Sequence, residues 1–348
     1  MKVSIGTNIK EGPWGGGNLF AINLSNFLKK EGHEVVYDLD HKDIDIILIT
    51  EPRKTSESSS FTHYDVEDYL KYEKFDTIVI HRINECDERK NTNYVNKYLI
   101  YANKIADETI FVSKWLKDLY LNQGLESSTN HVVYAGADKD IFNRDGFEGR
   151  KSNEKIKIVT HHWGANWNKG FDTYLKLDKM MNEEKWKKKI EFTYIGNLHK
   201  KAHFSNSNLI KPITGKELAM ELKNHDLYIT GSINEPSGNH HIESAQCGLP
   251  ILYINSGGIP EYCQGYGIEF SKDNLEAKLE EMILKYEYYV EVLKQYPNDS
   301  NRMSEEFLNI FENALNNKDK HLNKRNFSVN KSKIKKSLYF FRKNKLIK

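Results

Sequence analysis

Short runs of apolar residues alternate with longer amphipathic stretches along most of the chain. The apolar runs predict strands near residues 2–6, 34–37, 45–50, 76–80, 108–112, 131–133, 155–161, 190–195, 226–230, 250–254 and 267–270. The amphipathic stretches predict helices near 18–30, 92–106, 114–123, 275–295 and 304–315. Strands that alternate with helices are typical of parallel sheets covered by helices. The pattern therefore predicts an α/β fold.

A polar segment divides this series into two. Residues 143–153 contain Asp-Gly and Glu-Gly pairs and several charged side chains, which are typical of a linker. A length of 348 residues also fits two domains rather than one. We therefore predict two Rossmann-like, doubly wound domains over 1–150 and 151–300, a helix over 301–320 that crosses back to the first domain, and a tail over 321–348. Ligands of such sheets bind beyond the C-terminal ends of the strands, so two facing domains predict a cleft.

Charge and cysteine content narrow the classes of protein. The formal net charge is +2, but residues 321–348 hold ten Lys or Arg and no Asp or Glu, which leaves a net charge of −8 on the rest. An acidic body argues against nucleic-acid binding, whereas the basic tail suits an anionic membrane surface or a disordered end. Three cysteines without metal-ligand spacing, no signal peptide and no membrane-spanning run lead us to expect a cytoplasmic protein, peripheral on the inner membrane face if the tail binds lipid.

The motif with the most chemical content is the segment from Glu235 to Glu243, Glu-Pro-Ser-Gly-Asn-His-His-Ile-Glu. It follows an apolar strand, brackets the turn at Gly238 with two carboxylates, and opens a helix that ends at Gly248. The backbone N–H groups at the start of a helix are unpaired and favour an anion. Carboxylates accept hydrogen bonds from sugar hydroxyls. A ligand that combines a diphosphate with hydroxyl groups is a nucleotide sugar.

Two further segments precede predicted helices. The loop Gly12-Pro-Trp-Gly-Gly-Gly-Asn18 lets a ligand approach the backbone, but it lacks the Gly-x-Gly-x-x-Gly spacing of a dinucleotide-binding loop and also suits an ordinary strand–helix connection. Lys169, where the second domain's first strand meets its first helix, can neutralise a diphosphate leaving group or be one more surface lysine.

Polar residues also end the strand near 76–80. His81, Arg82 and Asn84 lie at the predicted cleft edge of the first domain, where His81 either contacts a reacting sugar or is a structural histidine. His161 and His162 occupy the matching place in the second domain. Their pairing suggests a metal, but no carboxylate stands at a ligand-like spacing, so we expect no metal site.

Together these segments resemble the retaining glycosyltransferases of the GT-B fold that carry a Glu-x7-Glu motif (the glycosyl transferases group 1 family). The resemblance extends over nearly the whole chain up to the last helix. It rests on several weak signals that occur in the family's order: Gly15–Asn18, Phe111–Leu116, Val132–Phe142, Lys169–Asp172, Tyr194–Gly196, Glu235–Glu243 and Gly257–Glu261.

The resemblance implies a role for each matching residue. Glu235 and the backbone near Gly238 would hold the donor sugar and its phosphates, Glu243 the ribose, and Lys169 the diphosphate. The first domain would bind a glycan, lipid-linked or other hydroxyl acceptor, and no bound metal or other cofactor would be needed. The expected residues are Glu235, Lys169 and His81 for catalysis; Gly16, Gly17, His162, Asn166, Gly196, Ser237, Gly238, Asn239, His240 and Glu243 for the donor; and Trp14, Arg82 and Asn84 for the acceptor.

The chain departs from the family at one position. An Arg five or six residues before the Lys usually supplies a second cation for the diphosphate, and here those positions are Gly164 and Trp163. Neither side chain replaces a guanidinium. His162, Asn166 or Arg82 are the candidates for compensation.

The sequence leaves other activities open. A nucleotide-sugar epimerase or hydrolase would use the same architecture, and a non-catalytic homologue would bind a nucleotide or glycan without turnover. The base, the sugar and the acceptor depend on loops whose shape the sequence does not specify.

Overall fold

Two six-stranded parallel sheets form the frame of the molecule. The computed structural model describes residues 1–10, 15–127, 129–151, 154–325 and 336–340. The first sheet has the strand order β2-β1-β3-β4-β5-β6 and the second the order β12-β11-β10-β7-β8-β9. The strands are β1 (Lys2–Ile5), β2 (Glu34–Val36), β3 (Ile46–Ile49), β4 (Ile78–Ile83), β5 (Glu108–Phe111), β6 (Asn130–Val132), β7 (Ile156–His162), β8 (Ile190–Gly196), β9 (Asn208–Ile210), β10 (Leu227–Thr230), β11 (Ile251–Ile254) and β12 (Gly267–Phe270).

Helices cover both faces of each sheet, as the predicted α/β fold requires. The central strand β3 is buried at all four positions, which explains its continuous apolar run. The helices are α1 (Gly16–Lys30), α2 (His63–Tyr72), α3 (Asp87–Lys90), α4 (Val95–Ala102), α5 (Lys114–Asn122), α6 (Phe171–Met180), α7 (Gly215–Lys223), α8 (Asn239–Cys247), α9 (Ile259–Cys263), α10 (Leu275–Leu284), α11 (Tyr286–Val292), α12 (Ser300–Asn316) and α13 (Lys318–Leu322).

The C-terminal helices differ from the predicted ones in two ways. The stretch predicted as one helix over 275–295 breaks at Lys285, and the break turns Tyr286 toward the core, where its hydroxyl accepts the backbone N–H of Arg150. The helix predicted over 304–315 begins four residues earlier. Its start is set by Asp299, whose carboxylate accepts the N–H groups of Asn301 and Arg302.

The long helix α12 packs on the layer of the first sheet. The rings of Phe20 on α1 and Phe307 on α12 have centroids 5.0 Å apart. Met303, Phe311 and Ala314 are buried in the same apolar cluster as the strands β1, β3 and β4. The end of the chain is thus part of the core around the first sheet.

The start of the predicted basic tail also packs against the first sheet. Arg325 forms an ion pair with Asp107 at 2.5 Å, with both side chains 4% exposed, and His321 lies 3.0 Å from a carboxylate oxygen of Glu108. Residues 326–335 and 341–348 of the tail lie outside the described residues. Within the described part of the chain, no helix has the length and apolar character needed to cross a membrane.

The two sheets are held together by α9. The carboxylate of Glu261 accepts the N–H groups of Lys114 and Trp115 at the start of α5, both at 2.7 Å, and the hydroxyl of Tyr134 at 3.0 Å. The Tyr262 hydroxyl donates to the carbonyl of Val112 at 2.5 Å. Because α9 belongs to the second sheet's layer and α5 to the first, these bonds fix one edge of the contact between them.

The chain crosses from one domain to the other twice, after β6 and before α12, and these two passages of the chain are in contact. Ala137, after β6, and Asp299, before α12, form a parallel bridge. The N–H of Ser300 donates to the carbonyl of Ala137 at 2.8 Å. A Cβ on Gly136 would lie 2.1 Å from the backbone of Asp299, so only glycine permits this approach.

Candidate active site

A cleft of about 370 Å³ lies between the C-terminal ends of the two sheets. One wall is formed by the start of α1 and the segment after β4. The other is formed by the segments that follow β7, β8 and β10, together with the start of α8. The position is the one expected for a ligand site between two facing doubly wound domains.

The cleft brings together most of the residues that the sequence singled out. Those that line it are Gly16, Gly17, Arg82, Asn84, His162, Asn166, Lys169, Gly196, Glu235, Ser237, Gly238, Asn239, His240 and Glu243. Trp14, expected on the acceptor side, lies outside the described residues.

His81 is not among the lining residues. Side chains alternate along β4, so His81 points away from the cleft when its neighbour Arg82 points toward it. The imidazole is fully buried, and its Nδ1 lies 2.9 Å from the amide oxygen of Asn103. Burial lowers the pKa of His81 to about 4. This placement departs from the expected contact with a reacting sugar and gives His81 a structural environment.

Glu235 and Lys169 form a buried ion pair at the centre of the cleft. The Lys169 ammonium lies 2.5 Å from Oε2 of Glu235, and the side chains are 8% and 6% exposed. Burial alone would raise the pKa of Glu235, but Arg89 and Lys169 outweigh it and hold that pKa at about 2. Burial lowers the pKa of Lys169, and Glu235 opposes the shift. Glu235 therefore stays ionised at neutral pH beside the lysine.

Arg89 is a cleft residue to which the sequence analysis gave no role. It comes from the short helix α3 after β4, and its Nε lies 3.1 Å from Oε1 of Glu235 in the opposite wall. Glu85 pairs with Arg89 at 3.1 Å and with Lys90 at 2.7 Å. The only sequence signal for Arg89 is its place in the polar run at the end of β4.

Arg82 is a second buried guanidinium of the first wall. It stacks 3.8 Å above the ring of Phe20, and among the described residues no carboxylate pairs with it. Burial lowers the pKa of Arg82 to about 10, which leaves it protonated at neutral pH. Four cationic side chains therefore line the cleft (Arg82, Arg89, Lys90 and Lys169), and three carboxylates offset them: Glu235 and Glu243 in the lining, and Glu85, which pairs with Arg89 and Lys90. The excess positive charge favours an anionic ligand.

The start of α8 adds an anion-favouring element to the same wall. The residue before the helix is Gly238, which has φ 84° and provides no side-chain cap for the first-turn N–H groups. Gly16 of α1 faces it across the cleft, and a Cβ there would lie 3.0 Å from the Asn239 amide oxygen. Glycine at position 16 thus sets the width of the cleft at this point.

Polar groups deeper in the cleft are neutral or paired. Glu243 accepts a hydrogen bond from, or pairs with, His161 Nε2 at 2.8 Å. Burial lowers the pKa of His162 and of His240 well below the ordinary value. The rings of these two histidines meet edge to face with centroids 4.6 Å apart, and His162 Nε2 lies 2.6 Å from the Tyr174 hydroxyl. Within the described ranges no group of three or more His, Cys, Asp or Glu side chains is arranged to hold a metal ion.

Solved structures with a similar fold are glycosyltransferases and related enzymes. No protein-family model matches the chain, and no curated protein matches it either. Anabaena Alr3699/HepE in complex with UDP-glucose is 11% identical, with a TM-score of 0.64 over 90% of this chain and 100% of that one. Sucrose-phosphate synthase from Thermosynechococcus elongatus is 12% identical, with a TM-score of 0.61 over 90% and 99%.

A third similar structure is WaaG, a glycosyltransferase involved in lipopolysaccharide biosynthesis. It is 14% identical, with a TM-score of 0.62 over 89% of this chain and 99% of that one. All three align over nearly their whole length, so the likeness covers both sheets and the cleft between them. This chain therefore has the GT-B fold, the two-domain architecture of these glycosyltransferases.

Proposed function

We propose that this protein is a retaining, metal-independent glycosyltransferase that moves a hexose from a nucleoside diphosphate sugar to a hydroxyl group of a glycan or lipid-linked acceptor. The observation that carries the proposal is the cleft itself. Four cations line it beside the uncapped start of α8, and they outnumber the carboxylates of Glu85, Glu235 and Glu243, which suits a negatively charged diphosphate.

The second wall suits the donor. Lys169 is assigned to the departing diphosphate and Glu243 to the ribose, because both line the cleft and a carboxylate can accept hydrogen bonds from ribose hydroxyls. Glu235, held ionised between cations, can orient the sugar through its hydroxyl groups. Burial disfavours charge on His162 and His240, so Lys169 supplies the positive charge of this wall.

The reaction would proceed in one site without a covalent enzyme intermediate. The bond between the anomeric carbon and the diphosphate oxygen breaks, and its electron pair leaves on the phosphate. The acceptor hydroxyl oxygen bonds to the same carbon and transfers its proton to the departing phosphate oxygen. An oxocarbenium-like transition state develops negative charge on the leaving group, which the cations stabilise.

The first experiment identifies the donor. The full chain is heated with a panel of UDP-, GDP- and ADP-linked hexoses, and the true donor raises the melting temperature because it binds the folded state. The similar structure of HepE holds UDP-glucose, which makes that sugar the first to test. A panel without any stabilising nucleotide sugar contradicts the proposal.

The second experiment tests the chemistry. Transfer is followed by nucleotide release with a panel of glycan and lipid-linked acceptors, and NMR of the product reports the anomeric configuration. Retention and unchanged rates in EDTA are expected. A sugar that is released or epimerised without any acceptor points to a hydrolase or an epimerase instead.

The basic tail is proposed as a contact to anionic membrane, where the acceptor would be lipid-linked. A truncation after residue 325 is the suitable test, since Arg325 packs against the first sheet and has to be kept. Full-length protein should sediment with anionic vesicles and the truncated form should not. Equal sedimentation of the two forms contradicts a role for the tail.

A further inference from the structure

We infer that Arg89, which the first domain carries, is the second cation that binds the donor's diphosphate, on the side of Glu235 opposite Lys169. The inference rests on the proposed function and specifies a binding residue that the sequence analysis did not assign. It concerns a side chain from the wall expected to hold the acceptor.

The geometry places both cations on one carboxylate. Lys169 Nζ lies 2.5 Å from Oε2 of Glu235, and Arg89 Nε lies 3.1 Å from Oε1. Arg89 Nε is buried, and although it lies 3.1 Å from Glu235 it makes no hydrogen bond within the described residues. Nη1 of Arg89 donates to Glu85, and the side chain lines the cleft and is 24% exposed, so the guanidinium is within reach of a ligand there.

The local charges are not balanced. Among the described residues, Arg89, Lys90 and Lys169 pair with two carboxylates, those of Glu85 and Glu235. One positive charge is left over at the point where the two walls meet. A diphosphate between Lys169 and Arg89 supplies the missing negative charge, and a guanidinium suits it because it can donate two parallel hydrogen bonds to phosphate oxygens.

Position 164 of the second domain, one of the two at which the resembled family usually carries an arginine, is a glycine with room for a side chain. A Cβ on Gly164 would lie 3.5 Å from Cε of Lys169 and 3.7 Å from Nδ2 of Asn166, which are ordinary contact distances. An arginine at position 164 would therefore start beside Lys169 without a clash. Arg89 contacts Glu235, the partner of Lys169, from the other wall.

Arg89 is held in place across the domain contact. The side-chain amide of Asn168 donates to the Arg89 carbonyl at 3.2 Å, and that of Asn234 donates to the Glu88 carbonyl at 3.3 Å. Both asparagines belong to the second domain. The two cations consequently meet only when the domains are in contact, so diphosphate binding and domain closure are coupled.

The test compares a nucleoside diphosphate with its nucleoside. UDP, GDP and ADP are screened, and the one that binds is titrated against its nucleoside with wild-type protein and Arg89→Ala. We expect Arg89→Ala to weaken nucleoside diphosphate binding about 10- to 100-fold, the size of a hydrogen bond to a charged group, and to leave nucleoside binding within about twofold. The value of kcat/KM for transfer should fall by at least the same factor.

A relocated arginine distinguishes a phosphate contact from a structural role. The double variant Arg89→Ala/Gly164→Arg should regain about tenfold in nucleoside diphosphate affinity, because it returns a guanidinium beside Lys169. Arg89→Lys keeps the charge but not the paired donors, so an intermediate affinity is expected.

Arg325→Ala is the matched control. It breaks a buried arginine–carboxylate pair that does not line the cleft. It should lower the melting temperature and leave the ratio of the two affinities unchanged. Arg89→Ala with wild-type diphosphate affinity overturns the inference, and so does equal loss of nucleoside and diphosphate binding. Wild-type protein that binds none of the three diphosphates instead contradicts the proposed function.

Discussion

At the scale of single residues, Glu235 is the carboxylate that contacts both Lys169 and Arg89. It is nearly buried and contacts one cation from each wall of the cleft. A buried carboxylate that bridges two cations both holds them close together and offsets their charge. A substitution of Glu235 should therefore change two properties differently: the binding of phosphate and the orientation of the sugar.

Glu235→Gln is expected to bind the nucleoside diphosphate at least as tightly as the wild type, because the cleft gains positive charge. Transfer should nevertheless fall about 100-fold or more, since the amide no longer holds Lys169, Arg89 and the sugar in place. Calorimetric titration and initial rates check the two effects separately. Weaker diphosphate binding in this variant would contradict the charge argument.

Buried histidines predict how stability depends on pH. His81 has a pKa of about 4 and His241 one of about 3 in the folded state, because burial disfavours their charged forms. The unfolded chain binds these protons near pH 6.5, so the unfolded state takes up more protons between about pH 6.5 and 4. The free energy of unfolding should therefore be highest above pH 6.5 and fall as the pH drops through this window.

The variant His81→Gln isolates one of these groups. It should lower the slope of the unfolding free energy between pH 6 and 5 by about 1.4 kcal/mol per pH unit, the contribution of one proton. Urea denaturation at several pH values measures the slope. An unchanged slope would mean that His81 does not stay neutral in the folded protein.

At the scale of the elements, the start of α1 shows how closely the two walls approach. Gly16 and Gly17 are neighbours in the first turn, yet only Gly16 has an atom of the other wall within reach of an added Cβ. The same substitution at Gly16 and at Gly17 therefore tests the effect of the gap to Asn239, with Gly17 as the control.

Gly16→Val should push Asn239 aside and lower kcat/KM for transfer about tenfold or more, in keeping with the cost of a small misplacement in a catalytic cleft. Gly17→Val should cause a clearly smaller loss, because a Cβ there meets no atom of the described residues within 4 Å. Steady-state kinetics on both variants provide the comparison. Equal losses would place the effect in the backbone of α1 rather than in the gap to Asn239.

The elements also show what the sequence could predict. The alternation of apolar runs and amphipathic stretches was sufficient for two parallel sheets, since most of the buried strands contain a short apolar run, as in the Ile46–Ile49 strand β3. The helix α2 was missed although Thr62 and Asp65 form a capping box at its start. Arg89 could not be found, because its relation to Glu235 spans 146 positions and depends on how two domains pack, which local periodicity does not encode.

At the scale of the whole molecule, Glu261 controls the contact between the two halves. Its carboxylate accepts three hydrogen bonds from the first sheet's layer, two of them from the N–H groups that open α5. Bonds to a carboxylate are among the stronger hydrogen bonds in proteins. The loss of this group should favour more open arrangements of the two domains.

Glu261→Ala should increase the radius of gyration measured by small-angle X-ray scattering in the absence of ligand. It should also weaken nucleoside diphosphate binding about 3- to 10-fold, because closure then costs more free energy. A saturating nucleoside diphosphate should bring the radius back toward the wild-type value. Identical scattering of both proteins would show that other contacts determine the arrangement.

The bridge between Ala137 and Asp299 has a consequence for motion. Because both passages of the chain run side by side there, the two covalent connections between the halves lie at one place. A small rotation of the halves about that place would displace most the parts of the cleft that lie farthest from it. The backbone around Gly136 would then act as a pivot and influence the rate of transfer although it does not line the cleft.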